Sequence, residues 1–125
     1  MDWKLEVVLV PVADVDRARD FYVDRLGFVL DHDVTPAPGT RFVQLTPPGS
    51  TCSIVIGTGM PQSPPGSLKG LQLVVDDIEA ARDALLARGF DPGTPVVMSP
   101  RDGGTFLYFS DLDGNGWAVQ QYRGG

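Results

Sequence analysis

The single histidine, His32, lies between two acids in the segment LDHDV. A histidine with acidic neighbours can serve as a general base in acid–base catalysis. The sequence places no nucleophile beside it, and one histidine alone is a weak metal site. We therefore expect His32 to be a surface residue near the end of a strand.

The segment DLDGN contains three oxygen-bearing side chains, Asp111, Asp113 and Asn115, in the pattern of an incomplete calcium loop. A complete EF-hand loop needs a bidentate glutamate downstream and a helix on each side. Here the flanking segments TFLYFS and GWAVQQ have the character of strands. The Asp-Gly and Asn-Gly pairs are typical of tight hairpins, so we expect a turn and no calcium site.

Composition excludes several classes of function. The chain has 125 residues and a net charge of −6, and its ten Lys and Arg are scattered, which argues against nucleic-acid binding. No stretch is long and apolar enough to span a bilayer, and the N-terminal apolar run is too short for a signal peptide. The one cysteine, Cys52, is expected to be buried and inert, which fits a reduced, cytoplasmic setting.

The chain contains an internal repeat. The segments VADVDRARDFYVDRLGF (residues 12–28) and VDDIEAARDALLARGF (residues 75–90) match along nearly their whole length, with one residue of slack before the final Gly-Phe. The matched pairs are Asp14 and Asp77, Val15 and Ile78, Ala18 and Ala81, Arg19 and Arg82, and Asp20 and Asp83. Two unrelated helices would not share these positions, so an internal duplication is the better interpretation.

Each copy predicts a strand followed by a helix. Asp14 and Asp77 can cap the helix N-termini, and Gly27 and Gly89 suit the left-handed residue that ends a helix. Three extended segments follow each helix, separated by Pro- and Gly-containing turns. One turn, residues 99–104, carries Arg101, which could meet an anionic ligand.

We therefore predict an α+β fold of two βαβββ modules in tandem, residues 1–57 and 68–125. The Pro/Gly/Ser-rich residues 57–67 are the predicted linker.

This arrangement resembles the vicinal oxygen chelate superfamily, which includes glyoxalase I, bleomycin-resistance proteins and extradiol dioxygenases. The segments VPVADVDRARDFYVDRLGF, LVVDDIEAARDALLARG and FSDLDGNGWAVQ carry the resemblance. The last is similar to the family's D-P-D-G-N turn, with Leu112 in place of proline. The resemblance implies strands that curl around a cavity, often completed in a homodimer.

Metal-dependent members of that superfamily hold a divalent ion with His, Gln or Glu side chains on the first and last strand of each module. The resemblance places those four positions at Val7, Ser53, Gly70 and Ala118, with Ser53 the least securely aligned. None of these is a normal metal ligand. Shifting a strand by one residue would turn its apolar residues out of the core. We therefore expect no metal ion and no other cofactor.

Strand alternation points four polar side chains into the expected cavity: Gln44, Gln72, Tyr108 and Gln120. Such a mixture of amide, phenol and apolar groups can hold a small organic ligand. The opposing interpretation is that the glutamines are solvated sheet residues without a ligand.

Three functions remain open. The first is a metal-free homodimer that binds a small molecule, as in the bleomycin-resistance branch. The second is an enzyme, either a lyase, isomerase or dioxygenase with an off-pattern metal, or an acid–base catalyst that uses His32, Tyr108 or a glutamine. The third is a scaffold for protein association alone. We predict the first.

Overall fold

Two four-stranded sheets, each with one helix, form the protein in a computed structural model that describes residues 1–99 and 104–121. Arg101 lies outside the described residues. The first module comprises β1 (Val7–Leu9), α1 (Val15–Asp20) with a π-helical turn (Phe21–Arg25), β2 (Val29–Ala37), β3 (Thr40–Thr46) and β4 (Ser53–Thr58). The second comprises β5 (Leu71–Val75), α2 (Ile78–Ala87), β6 (Val96–Ser99), β7 (Gly104–Ser110) and β8 (Gly116–Gln121). The predicted α+β fold of tandem βαβββ modules is confirmed.

The two sheets have the same strand order, β1-β4-β3-β2 and β5-β8-β7-β6. In each sheet the first and last strands of the module pair in parallel, and the other pairs are antiparallel. One face of each sheet packs on a helix. On β8, Trp117 and Val119 are buried on that face, while Ala118 between them is only half-buried. The opposite face of each sheet, here called its open face, carries the predicted site residues.

Both helices begin at the predicted aspartates. The Asp14 carboxylate accepts a hydrogen bond from Arg17 N at 3.0 Å, and the Asp77 carboxylate accepts from Glu79 N and Ala80 N. Gly27 and Gly89, which follow the helices, have φ angles of 74° and 81°, in the left-handed region. The caps and stops that the repeat predicted are therefore present in both modules.

The one residue of slack between the repeats coincides with a π-helical turn. In the first module, α1 continues directly into the π turn at residues 21–25, whereas α2 is α-helical throughout. A π turn accommodates one extra residue within a helix. As a result the consecutive aromatic residues Phe21 and Tyr22 are both buried.

The C-terminal ends of the helices contact each other reciprocally. The Arg25 guanidinium donates to the backbone oxygen of Arg88 at 2.7 Å, and the Arg88 guanidinium donates to those of Val23 and Asp24. Arginine at the carbonyl end of a helix satisfies free acceptors and favours the helix dipole. These contacts join the modules symmetrically.

One strand is longer than the sequence predicts. The proline and glycine residues of TPAPG, residues 35–39, predict a turn between strands, yet β2 runs to Ala37 and includes Pro36. β2 is an edge strand of its sheet, so a proline there need not remove a ladder hydrogen bond. Within the described part of the chain, no helix combines the length and the apolar character needed to cross a membrane.

Candidate functional site

Three of the four predicted ligand-contacting residues lie together on the open face of the second sheet. Gln72 on β5 lies opposite Ala118 on β8, and Ala118 lies opposite Tyr108 on β7. Cross-strand partners project to the same face. The Gln72 side-chain amide donates to the Gln120 side-chain oxygen at 2.6 Å. This open face therefore presents two linked amides beside a phenol.

A cavity of about 480 Å³ lies beside these residues. Gly70, Gln72, Tyr108 and Ala118 contribute to its lining, together with the exposed Lys69. A Cβ atom added to Gly70 would meet nothing within 4 Å, so this part of the cavity is open space. The cavity therefore has a floor of very small side chains next to an aromatic ring.

The Tyr108 ring is available for contact. It is 52% exposed, and it stacks on Phe106 with ring centroids 5.7 Å apart and an interplanar angle of 10°. Phe106 lies opposite Gln120 in the β7–β8 register. Two parallel rings on one face form a flat apolar surface next to the amide pair.

The fourth predicted residue, Gln44, lies on the other sheet. Its side-chain amide donates to the Ser53 hydroxyl at 3.4 Å, and the Ser53 and Thr46 hydroxyls are 2.6 Å apart. The cavity beside Tyr108 is lined by residues 69–72, 108–110 and 116–118 and does not include Gln44. The structure thus brings three of the four residues together and places the fourth in a separate polar cluster.

His32 lies within β2, opposite Gln44 in the β2–β3 register. It is exposed, as the sequence predicts, but it is an interior residue of a nine-residue strand. Because cross-strand partners share a face, His32 belongs to the open face of the first sheet. Asp31, the preceding residue, accepts a hydrogen bond from Thr46. Sequence reasoning set His32 apart from Gln44, and only the strand register shows that they are neighbours.

Of the four positions where the family places metal ligands, Val7, Ser53 and Ala118 lie on the parallel strand pairs and Gly70 immediately precedes β5. Val7 lies opposite Ser53, whereas in the second module Ala118 lies opposite Gln72, two residues beyond Gly70. By that register the first-module equivalent of Ala118 is Val55, which also lacks a metal-binding atom. Among residues 1–99 and 104–121, no group of three or more His, Cys, Asp or Glu side chains could hold a metal ion. Cys52 is half-buried, so it is less enclosed than the sequence predicts.

A buried polar network, here called the clasp, joins the modules behind the second sheet. It consists of Tyr22, Asp111, Asn115 and Trp117. The Tyr22 hydroxyl donates to Asp111 at 2.6 Å and accepts from the Trp117 indole N–H at 3.0 Å. The Asn115 side-chain amide donates to the same carboxylate at 2.8 Å. Burial, followed by the hydrogen bond to Asp111, raises the pKa of Tyr22 and keeps the phenol protonated.

The clasp also binds backbone groups of the first module and of Leu68, at the start of the second module. The Asn115 amide donates to the Pro11 carbonyl at 2.8 Å and its oxygen accepts from Leu68 N at 3.1 Å. Asp113 accepts from Ala13 N at 3.0 Å. The DLDGN segment is therefore a turn, as expected, but it also binds the other module. Sequence reasoning missed this role because Tyr22 shares the helical spacing of Val15, Ala18 and Leu26, which predicts an apolar stripe on the first helix.

Comparisons with known proteins agree with this architecture. The sequence model of the "Glyoxalase/Bleomycin resistance protein/Dioxygenase superfamily" matches residues 4–119. A glyoxalase/bleomycin resistance protein from Streptomyces sp. CB03234 is 38% identical, with a TM-score of 0.72, over 94% of this chain and 100% of that chain. TnmS3, an antibiotic binding protein from the same organism, is 34% identical, with a TM-score of 0.74 over 98% of each chain.

A superfamily member from Sphaerobacter thermophilus DSM 20745 is 31% identical, with a TM-score of 0.78 over 97% of this chain and 98% of that chain. Family match, sequence identity and fold agree over nearly the whole chain. The protein belongs to the glyoxalase/bleomycin resistance protein/dioxygenase superfamily, also named the vicinal oxygen chelate superfamily.

Proposed function

We propose that this protein binds a small organic molecule with an aromatic part on the open face of the second sheet, without a metal ion. One observation carries the proposal. Gly70 and Ala118, at positions where metal-dependent relatives have ligands, leave a floor without donor atoms beside the exposed Tyr108. The space that an ion and its ligands would fill is thereby open to an organic ring.

The chemistry of this face suits such a ligand. A ring that packs against Tyr108 gains about 0.5–1.5 kcal/mol beyond the area it buries. The Gln72–Gln120 pair offers amide donors and acceptors to a carbonyl or hydroxyl group. An antibiotic-binding relative with 34% identity supports the same class of activity.

We further propose a cytoplasmic homodimer. Several large apolar side chains are exposed in the single chain: Trp3 is 88% exposed, Val97 60% and Met98 61%. Contiguous exposed apolar surface commonly marks an interaction site. In such a dimer the open face of the first sheet, with Gln44, would lie over the open face of the partner's second sheet. All four predicted residues would then contact one ligand.

An enzymatic alternative is favoured by one observation, the position of His32 opposite Gln44 on an open face. In that case His32 would move a proton of a bound substrate, in a lyase or isomerase reaction. A dioxygenase would additionally need a metal at positions off the family pattern. Loss of turnover in a His32→Gln variant with unchanged ligand affinity would support this alternative.

A thermal-shift screen of aromatic small molecules, run with and without a chelator, tests the main proposal. Ligand at about a hundred times its Kd should stabilise the folded protein by about 2.7 kcal/mol, and the chelator should not change this. Tyr108→Ala should abolish the shift. Leu112→Ala, which truncates a side chain with the same 52% exposure away from this face, should not. Stabilisation that requires a divalent ion, or stoichiometric metal in the purified protein, would refute metal-free binding.

A further inference from the structure

A second cavity, of about 440 Å³, lies between the modules on the helix side of the second sheet. We call it the intermodule cavity. The β3–β4 turn of the first module, residues 47–50, forms one wall. The remaining walls are apolar and come from both modules: Leu26, Phe28, Leu73, Val75, Ala81 and Leu85. It shares Gln72 and Phe109 with the cavity that Gly70, Tyr108 and Ala118 line, and its other lining residues differ.

The intermodule cavity occupies the position that is related to the clasp by the internal duplication. The clasp joins the β7–β8 turn to Pro11 and Tyr22 of the first module. Counting from the helix caps Asp14 and Asp77, the second-module counterparts of Pro11 and Tyr22 are Val74 and Leu85. Both line the intermodule cavity, as do residues 47–50 of the β3–β4 turn. Hydrogen bonds therefore join the modules at the clasp, whereas at the position related to it by the duplication there is a cavity.

The second helix shows the consequence for packing. Within α2 only Ile78 is buried, whereas α1 and its π turn bury Val15, Ala18, Phe21 and Tyr22. Ala81 and Leu85, which face the intermodule cavity, are half-buried. Apolar groups left in contact with water lose the free energy of burial, about 25 cal/mol per Å². A bound molecule would recover it.

We propose that the intermodule cavity binds a neutral, largely apolar small molecule, at a second site beyond the open-face site. No Asp, Glu, Lys, Arg or His is among the residues that line it, and a charge buried without a partner is costly. Ser50, the polar residue that the β3–β4 turn contributes to the lining, is exposed. Its hydroxyl can take one hydroxyl or carbonyl group of the ligand. The volume falls in the range of about 300–1,000 Å³ that small-molecule pockets have.

Titration with the neutral fluorophore N-phenyl-1-naphthylamine tests this inference on the whole chain. We expect saturable binding with enhanced fluorescence. Ala84→Phe places a ring in the cavity that Ala84 lines and should weaken binding at least about tenfold. Ala80→Phe, the same substitution one turn earlier on α2, should change the affinity by less than about twofold, because helical side chains point toward the N-terminus. Circular dichroism checks that both variants are folded.

A third variant separates this site from the open face. Tyr108→Ala removes the aromatic ring of the open-face site and should leave the affinity for the fluorophore within about twofold. Loss of binding in Tyr108→Ala with retention in Ala84→Phe would overturn the inference and leave the proposed function standing. Absence of saturable binding, or equal affinity in all variants, would also overturn it. So would an affinity that falls as protein concentration rises, because a second copy would then occupy the cavity.

Discussion

The two hairpin turns that join the last two strands of each module differ in how they contact the other module. Residues 111–115 of the second module carry carboxylate and amide groups that hydrogen-bond to the first module. Residues 47–51 of the first module, PPGST, are a turn closed by a bond from Ser50 N to the Pro47 carbonyl. The latter turn faces a cavity in place of a clasp. The two modules of this duplicated fold are therefore joined by hydrogen bonds at one turn and separated by a cavity at the other.

The comparison shows which parts of the repeat determine the fold and which distinguish the modules. Aspartate caps, glycine stops and the exchange of Arg25 and Arg88 are common to both. The clasp needs a tyrosine on one helix and an acid on the opposite turn, whereas α2 has no tyrosine and residues 47–51 contain no acid. Each buried donor there has an acceptor, so the clasp is a fully satisfied hydrogen-bond network between the modules.

The largest loss of stability is expected when the central carboxylate of the clasp is removed. Asp111→Ala removes the carboxylate that accepts hydrogen bonds from the buried Tyr22 hydroxyl, the Asn115 amide and three turn N–H groups. We expect the free energy of unfolding in urea to fall by about 3 kcal/mol or more. The matched change in the other turn, Ser50→Ala, should cost less than about 1 kcal/mol. Equal losses would show that the two turns contribute alike.

A smaller effect is expected from the clasp hydroxyl. Tyr22→Phe leaves the Trp117 indole N–H without a partner and should lower the free energy of unfolding by about 1–2 kcal/mol. Since the folded pKa of Tyr22 is raised, its contribution is complete below about pH 10, the unfolded pKa, and declines as pH rises above that value. Urea unfolding at neutral and alkaline pH should therefore show an alkaline loss in the wild type that is reduced in Tyr22→Phe. Tyr108→Phe, at an exposed tyrosine, should retain that loss.

The smallest effect concerns an ion-pair network of the first module. Arg41 pairs with Asp33 and Asp16, and Arg19 also pairs with Asp33, so the network joins α1 to β2 and β3. In the part of the chain that the structure describes, no ion pair joins α2 to β6 or β7. Hydrogen bonding to Arg41 lowers the pKa of Asp33, so its contribution is present above about pH 4 and is lost as pH falls through the folded pKa.

Asp33→Asn should lower the free energy of unfolding at neutral pH by at most about 1 kcal/mol, because the groups are partly exposed. Added salt should reduce the difference between wild type and variant. Asp83→Asn on α2 is the control, because Asp83 has no ion pair within the described residues and its substitution should change little. A loss of equal size in both variants would argue for a general charge effect.

The sequence predicts the repeated elements well because their signals are local. Capping aspartates, terminal glycines and alternating apolar residues act within a few positions, so Asp77, Gly89 and Trp117 could be assigned without long-range information. The bond between Tyr22 and Asp111 spans 89 positions, and no local pattern indicates it.

The candidate site was predictable in part for the same reason. Alternation places Gln72, Tyr108 and Gln120 on one face, and strand pairing brings them together. The placement of Gln44 depends on how the two sheets are arranged, and this is set by packing between modules. The proximity of His32 to Gln44 depends on a register shift between Leu30 and His32, which has no sequence signature.

The π-helical turn of the first module bears on how relatives of this protein should be aligned. Length differences between repeats are usually assigned to loops, which tolerate insertions. Here the additional position lies inside a helix, between Asp20 and Leu26, and it is what turns two consecutive aromatic rings inward. Alignments that move the gap to the loop after Gly27 would leave Tyr22 in place but pair Gly27, the glycine that ends the helix, with the wrong residue of a homologue. The presence or absence of an extra residue within this helix offers a marker for sorting the family into proteins with and without a clasp.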